Sequence, residues 1–175
     1  MNTFDPVATG LVLVMVAIAA VSDLRSHCIP NWLIATGLLA ALLMQVFEHG
    51  ASGGSRAWLT GALAGLAPFL VLYVAGAVGA GDAKLMASIG AFVGVQPALQ
   101  IVVASVLVGG VMALTIMVAR KNARQTLADL SALLLWLPFS WRATAAGTAK
   151  TETTARLPYA VALAGGVLLV TTGTL

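Results

Sequence analysis

Two aspartates, Asp23 and Asp82, are the residues of this 175-residue chain whose type and setting best fit hydrolytic chemistry. There are only six acids. Asp5 and Glu48 flank apolar runs at one end, and Asp129 and Glu152 fall in the longest polar segment, where solvated surface roles account for them. Asp23 and Asp82 instead sit at the edges of long uncharged stretches, where an ionisable group costs a few kcal/mol and usually persists for function. Two carboxylates close together in a site of low dielectric cannot both ionise cheaply, so one keeps a proton and the other acts as a base near neutral pH. Such a pair suits acid–base hydrolysis of a peptide bond. The base takes a proton from the attacking water, and the acid stabilises the oxyanion and then protonates the leaving amine. No metal, cofactor or covalent intermediate is required.

The elements that must position these acids follow from composition. The chain is 60% hydrophobic and 9% charged, with a mean hydropathy of +1.00, which leaves too little polar surface for a soluble globule. Pro6 to Ser22, Pro30 to Phe47, Ala57 to Gly81, Leu85 to Ala119 and Leu157 to Leu175 contain no charged residue. Crossing a hydrocarbon core of about 30 Å takes roughly 20 helical residues. The 35 residues of Leu85 to Ala119 are too many for one span, and Gly94-Val95-Gln96-Pro97 supplies a break. The expectation is an all-α integral membrane protein, a single polytopic domain over residues 1–175, with about six transmembrane helices and one cytoplasmic interfacial helix.

Charge gives the orientation. With the N-terminus outside, Arg25, Lys84, Arg120, Lys121, Arg124, Arg142, Lys150 and Arg156 lie inside and only Arg56 outside, as the positive-inside rule requires. Ala17-Ile18-Ala19 looks like a signal cleavage site, but no basic residue precedes Arg25, so the first run reads as a retained span. The spans between Asp23 and Asp82 then form a down-and-back hairpin, returning both acids to the cytoplasmic edge. Glu48 to Arg56 reads as an outer loop, in which Gly50-Ala51-Ser52-Gly53 is a flexible stretch by its Gly and Ser content. The 120–156 segment reads as a cytoplasmic loop in which Leu127, Leu130, Leu134 and Leu137 mark an amphipathic interfacial helix, with Trp136 and Trp141 at the headgroup boundary. Gly61-x-x-x-Gly65 and Gly90-x-x-x-Gly94 read as helix-packing seams.

Each acid alone has a plain alternative. Asp82, in Gly79-Ala80-Gly81-Asp82-Ala83-Lys84, fits a glycine-rich turn with a solvated Asp paired to Lys84, and Asp23 fits a flank residue paired to Arg25. The glycines offer backbone conformations closed to other residues and room for a substrate strand. The two segments together are far more specific. Asp23-x-Arg25-x-x-x-Ile29-Pro30-Asn31 followed by Gly79-x-Gly81-Asp82-x-Lys84 resembles the A24-type prepilin peptidases, most closely the short form serving Tad/Flp-type pili. Leu157-Pro158-Tyr159-Ala160, with Ala162 and Gly165, resembles that family's final span.

The resemblance implies that Asp23 and Asp82 are the catalytic pair, with Gly79, Gly81, Lys84, Arg25, Pro30 and Asn31 in support. It implies an aspartic endopeptidase of the bacterial cytoplasmic (inner) membrane that cuts the basic leader from prepilin or pseudopilin substrates, after a Gly at the cytoplasmic face. Long-form relatives carry an insert with paired CxxC motifs and also methylate the new N-terminus. Cys28 is the sole cysteine here, so the resemblance does not carry methyl transfer to this chain.

Other chemistries lack residues. One cysteine excludes an intrachain disulfide and a cysteine-rich zinc module, and no H-E-x-x-H occurs. Gly50-Ala51-Ser52-Gly53 mimics a rhomboid serine motif, but His49 shares its loop and His27 lies on the opposite face. His27 reads as a polar loop residue, with pH sensing or assistance to Asp23 as its functional alternatives. Presenilin-like enzymes carry a Tyr-Asp motif, whereas Val21-Ser22 precedes Asp23. The basic residues form no stripe with aromatics, which excludes nucleic acid as a partner and leaves the lipid bilayer. No oligomeric state follows from the residues. The rival of a different class is a non-enzymatic membrane subunit or proton-coupled transporter, which would need acids near the bilayer midplane rather than at one edge.

Overall fold

A computed structural model describes residues 6–26, 28–119 and 159–172, all but the turns helical. The helices are α1 (Pro6–Ser26), α2 (Asn31–Val74), α3 (Ala80–Val93), α4 (Val95–Ala119) and α5 (Tyr159–Thr171). By length and composition, three are apolar enough to cross a bilayer: α1, α2, and α4 over Val95–Thr115. The protein is therefore an all-α integral membrane protein. The 120–156 segment with the interfacial helix expected in it, and His27, Asp5, Asp129, Glu152 and Pro158, lie outside the described residues.

As one rod the 44 residues of α2 would run about 65 Å, twice the apolar core of a bilayer. The helix is broken at Gly50, whose φ of 75° and ψ of 171° depart from helical values. That φ is open to glycine and strained for other residues. Two rods result, 31–49 and 51–74, joined by a single residue. This corrects the expected outer loop over Glu48 to Arg56: apart from Gly50 the segment is helical, because one left-handed residue is enough to turn the chain and the flanking backbone keeps its helical hydrogen bonds. The second break is similarly economical. Gly94, φ 80°, separates α3 from α4, and Pro97 falls in the first turn of α4, where its missing N–H has no helical partner to lose.

The shortest of the first four helices is the core of the bundle. Asp82, Ala83 and every residue from Leu85 to Phe92 in α3 are buried, so no single face of it is left for lipid. Close packing around it is achieved with glycine. A Cβ placed on Gly61 would strike the Gly90 carbonyl and come within 3.1 Å of Gly94 Cα, and one on Gly65 would strike the Met86 carbonyl. Both expected seams are thus one seam, between the second rod of α2 and α3, and α2 as a whole forms the most extensive helix contact of the bundle with α3. On the other side, Gly37 leaves space for Ser88 and Met15, where the Ser88 hydroxyl donates to Met15 Sδ at 3.5 Å. At the far end of α3, the buried Gln45 amide donates to the carbonyls of Ala91 and Phe92 at 3.3 and 3.2 Å, partnering groups that a helix C-terminus leaves free. Large apolar side chains such as Trp32, Phe47, Val71 and Val111 cover the outside, the pattern expected when the surrounding solvent is hydrocarbon rather than water.

Candidate active site

The path of the helices brings three chain segments to one end of the bundle: the last turn of α1, the first turn of α3 and the first turn of α5. Asp23 lies in the last turn of α1 and is half-buried. Beyond it the chain reverses through a short loop that the serines of α1 hold in place. The Ser22 hydroxyl donates to the Cys28 carbonyl at 2.9 Å, and that of Ser26 to the carbonyls of Ser22 and Cys28 at 2.8 and 3.4 Å. Pro30, in extended conformation, stands immediately before α2, and its carbonyl accepts the Leu33 N–H at 3.1 Å. Asn31, the first residue of α2, is exposed, as is Arg25.

Asp82 arrives by a tight turn over residues 75–79. The positive φ in that turn belongs to Gly76. Gly79 has φ −80°, so the motif glycines are used for space rather than for the unusual backbone conformation expected of them. The Gly79 N–H donates to Asp82 Oδ2 at 3.1 Å, while the Asp82 N–H donates to the Gly79 carbonyl at 3.1 Å. A Cβ on Gly79 would stand 3.2 Å from Asp82 Oδ2, inside the space the carboxylate uses to fold back onto the chain. A Cβ on Gly81 would stand 3.3 Å from Ile29 Cβ, so its absence lets the first turn of α3 close against the loop that follows Asp23. Lys84 is exposed whereas Asp82 is 8% exposed. Among the described residues neither aspartate forms an ion pair, the sole salt bridge being His49 with Glu48 at the other end. The pairings with Lys84 and Arg25 left open by the sequence are not made here.

The third segment completes the arrangement. The Ala160 N–H, one of the first-turn donors that a helix cannot satisfy internally, donates to Asp23 Oδ2 in a long hydrogen bond of 3.4 Å. The neighbouring Tyr159 ring meets Phe69 edge-on, with centroids 6.0 Å apart and planes at 78°. Sequence reasoning carried Tyr159 and Ala160 only as part of a resemblance, and missed Ser22 and Ser26 altogether. A main-chain N–H bears no residue-type signal, and a serine in a helix end has several partners open to it.

Asp82 precedes the apolar stretch that starts at Leu85. Burial pushes its carboxyl up to about 6; the Gly79 N–H opposes that shift, and the charge of Asp23 adds to it. The two acids are therefore close enough to feel one another. Each has one oxygen engaged by a main-chain N–H, from Ala160 for Asp23 and Gly79 for Asp82, and among the described residues no further hydrogen bond is made by either carboxyl. No group of three or more His, Cys, Asp or Glu that could hold a metal ion occurs among the described residues.

Comparison with protein families matches residues 10–114 to the type IV leader peptidase family, a span containing Asp23, Asp82 and all six supporting positions. No curated protein and no solved structure matches the chain.

Proposed function

From the premise that this chain belongs to the type IV leader peptidase family, we propose that it is an aspartic endopeptidase using Asp23 and Asp82 as its acid–base pair. It removes the leader from prepilin-like substrates of the Tad/Flp type at the cytoplasmic membrane face. The observation that carries this reading is the convergence of the two acids and the start of α5 at one end of the bundle. Six crossings rest on the uncharged windows, with α2 crossing twice about Gly50, and the distribution of lysine and arginine supports an outside N-terminus and a cytoplasmic site.

Asp82, the more buried acid, holds the proton of the pair, and Asp23 is the base. Asp23 takes a proton from water as the water oxygen attacks the scissile carbonyl. The Asp82 proton stabilises the oxyanion, the amine nitrogen is protonated, the C–N bond breaks, and the pair is left with one proton again. Residues near a helix end are the least costly to cleave, since the peptide bond there is freed from helical hydrogen bonds and a Gly weakens the helix further. That places the cut where a basic leader joins an apolar helix, next to Arg25 and Lys84 at the edge of the bundle. Both cations are exposed, and in this reading they anchor that edge in the headgroup region rather than take part in the chemistry.

Purified protein mixed with a small prepilin in detergent should yield a product shorter by the leader, with mass spectrometry placing the cut after the Gly that ends it. An intact substrate, or a cut within the apolar segment, contradicts the reading. The pH dependence has a definite sign. An acid whose ordinary pKa near 4 is raised is protonated below the raised value and loses its proton above it. Cleavage that needs this proton is present around pH 6 and falls at higher pH, by roughly tenfold per unit once the pair is fully ionised. The apparent pKa of that limb belongs to the pair. A rate still rising between pH 7 and 9 would remove Asp82 as the proton donor.

A further inference from the structure

The family match ends at residue 114, yet a contact to Asp23 comes from residue 160. What fixes the height of α5 is therefore a separate question. Tyr159 is held on two sides. Phe69 of α2 meets its ring edge-on, and Gly109 of α4 gives it room: a Cβ on Gly109 would stand 2.9 Å from Tyr159 Cζ and Oη and 3.0 Å from Cε2. The ring thus lies directly on the α4 backbone. Below it α5 continues against α4 through Gly165, which faces Val108, and Gly166, which faces the Ser105 hydroxyl and backbone. Ala160, next to the ring, is fully buried and has no freedom to shift by itself.

The geometry points to Tyr159 as a positioning residue: wedged between Phe69 and Gly109, its ring seats the first turn of α5 so that the Ala160 N–H holds Asp23 opposite Asp82. The inference rests on the reading of Asp23 and Asp82 as the catalytic pair. Among the described residues the ring's hydroxyl makes no hydrogen bond to either acid, so its contribution is to the alignment of the base and is felt in turnover rather than in substrate binding.

The test compares cleavage kinetics of the full-length protein and its variants on one purified prepilin substrate. Tyr159→Ala and Gly109→Ala should each lower kcat by about 10- to 100-fold, the range expected for misplacing a catalytic group by an ångström or less, with KM nearly unchanged. Gly109→Ala reaches the same result from a different helix, by pushing the ring rather than deleting it, and remains informative if Tyr159→Ala fails to accumulate. Tyr159→Phe, which keeps the ring, should stay within about twofold of the starting rate and keep its pH profile. In the Tyr159→Ala background, Gly109→Ala should add little, because its new methyl group no longer has a ring to displace.

Normal kcat in both Gly109→Ala and Tyr159→Ala, with Asp23→Asn and Asp82→Asn inactive, would overturn the inference and leave the catalytic pair standing. Loss of activity in Tyr159→Phe equal to that in Tyr159→Ala would overturn it in favour of the hydroxyl. Retained cleavage in the Asn variants would remove the pair itself, and this inference with it.

Discussion

Asp82→Asn is expected to accumulate in the membrane at the level of the unaltered protein and to lose leader cleavage by a factor of about 10³ or more, the contribution typical of a positioned acid or base. Asn is close to Asp in shape, and its carbonyl oxygen can still accept the Gly79 N–H that Asp82 accepts at 3.1 Å. It also removes the cost of burying a carboxyl in a position only 8% exposed. The fold is thus expected to survive, or to gain slightly, while the exchangeable proton is lost. Asp23→Asn should behave alike, since its oxygen can still accept from Ala160. On the proposal that the two acids act as one unit, the double variant should be no less active than either single one, as residues of one catalytic unit are grossly non-additive. Co-expression with a prepilin and comparison of precursor and product on a gel reads all three. A substantial rate in either single variant would take that residue out of the mechanism.

The largest expected effect on the fold is at the glycine seam. Gly61→Leu should cost about 3 kcal/mol or more, the upper range for overpacking, because the obstacle is the Gly90 carbonyl and the backbone of Gly94 rather than a side chain that can rotate away. Gly90→Leu meets the Gly61 carbonyl from the other side and should cost as much. Both should lower the melting temperature in detergent by many degrees or leave no folded protein. Gly10→Leu, at a position with open space around it, is the control and should change little. Loss of activity in the seam variants would follow from displacement of α3, which carries Asp82 in its first turn. A Gly61→Leu protein as stable as the original would mean that α2 and α3 do not pack as described.

How much of this was legible in the sequence varies with the kind of interaction. The helical membrane character was plain in the uncharged windows, because a bilayer leaves a spanning segment little alternative to a helix. The seam was legible too, since pairs of glycines four residues apart in apolar helices have one dominant physical use. That Gly61 would meet Gly90 was not, because spacing within a helix says nothing of its partner. The neighbourhood of Asp23 and Asp82 followed from counting spans, whereas their hydrogen bonds to Ala160 and Gly79 depend on main-chain groups that all residue types share. Gly50 shows the opposite failure. A cluster of Gly and Ser reads as a loop from composition, but a single left-handed residue turns α2 and leaves Ser52 and Gly53 helical. Gln45 was hidden for a similar reason: one polar residue within an apolar window does not announce that it caps the end of α3.

Pairing of the two acids is most directly tested by joining them. Cys28 is the sole cysteine and is exposed, so Cys28→Ser gives a background free of thiols into which Asp23→Cys and Asp82→Cys are introduced together. Under mild oxidation in membranes, the account predicts an intramolecular disulfide between positions 23 and 82, visible as a link between fragments after proteolysis in the intervening chain. Asp23→Cys combined with Gln96→Cys, in the first turn of α4 beyond the far end of α3, should give none. Thiols at 23 and 82 that react with reagents on opposite sides of the membrane and never bridge would contradict it.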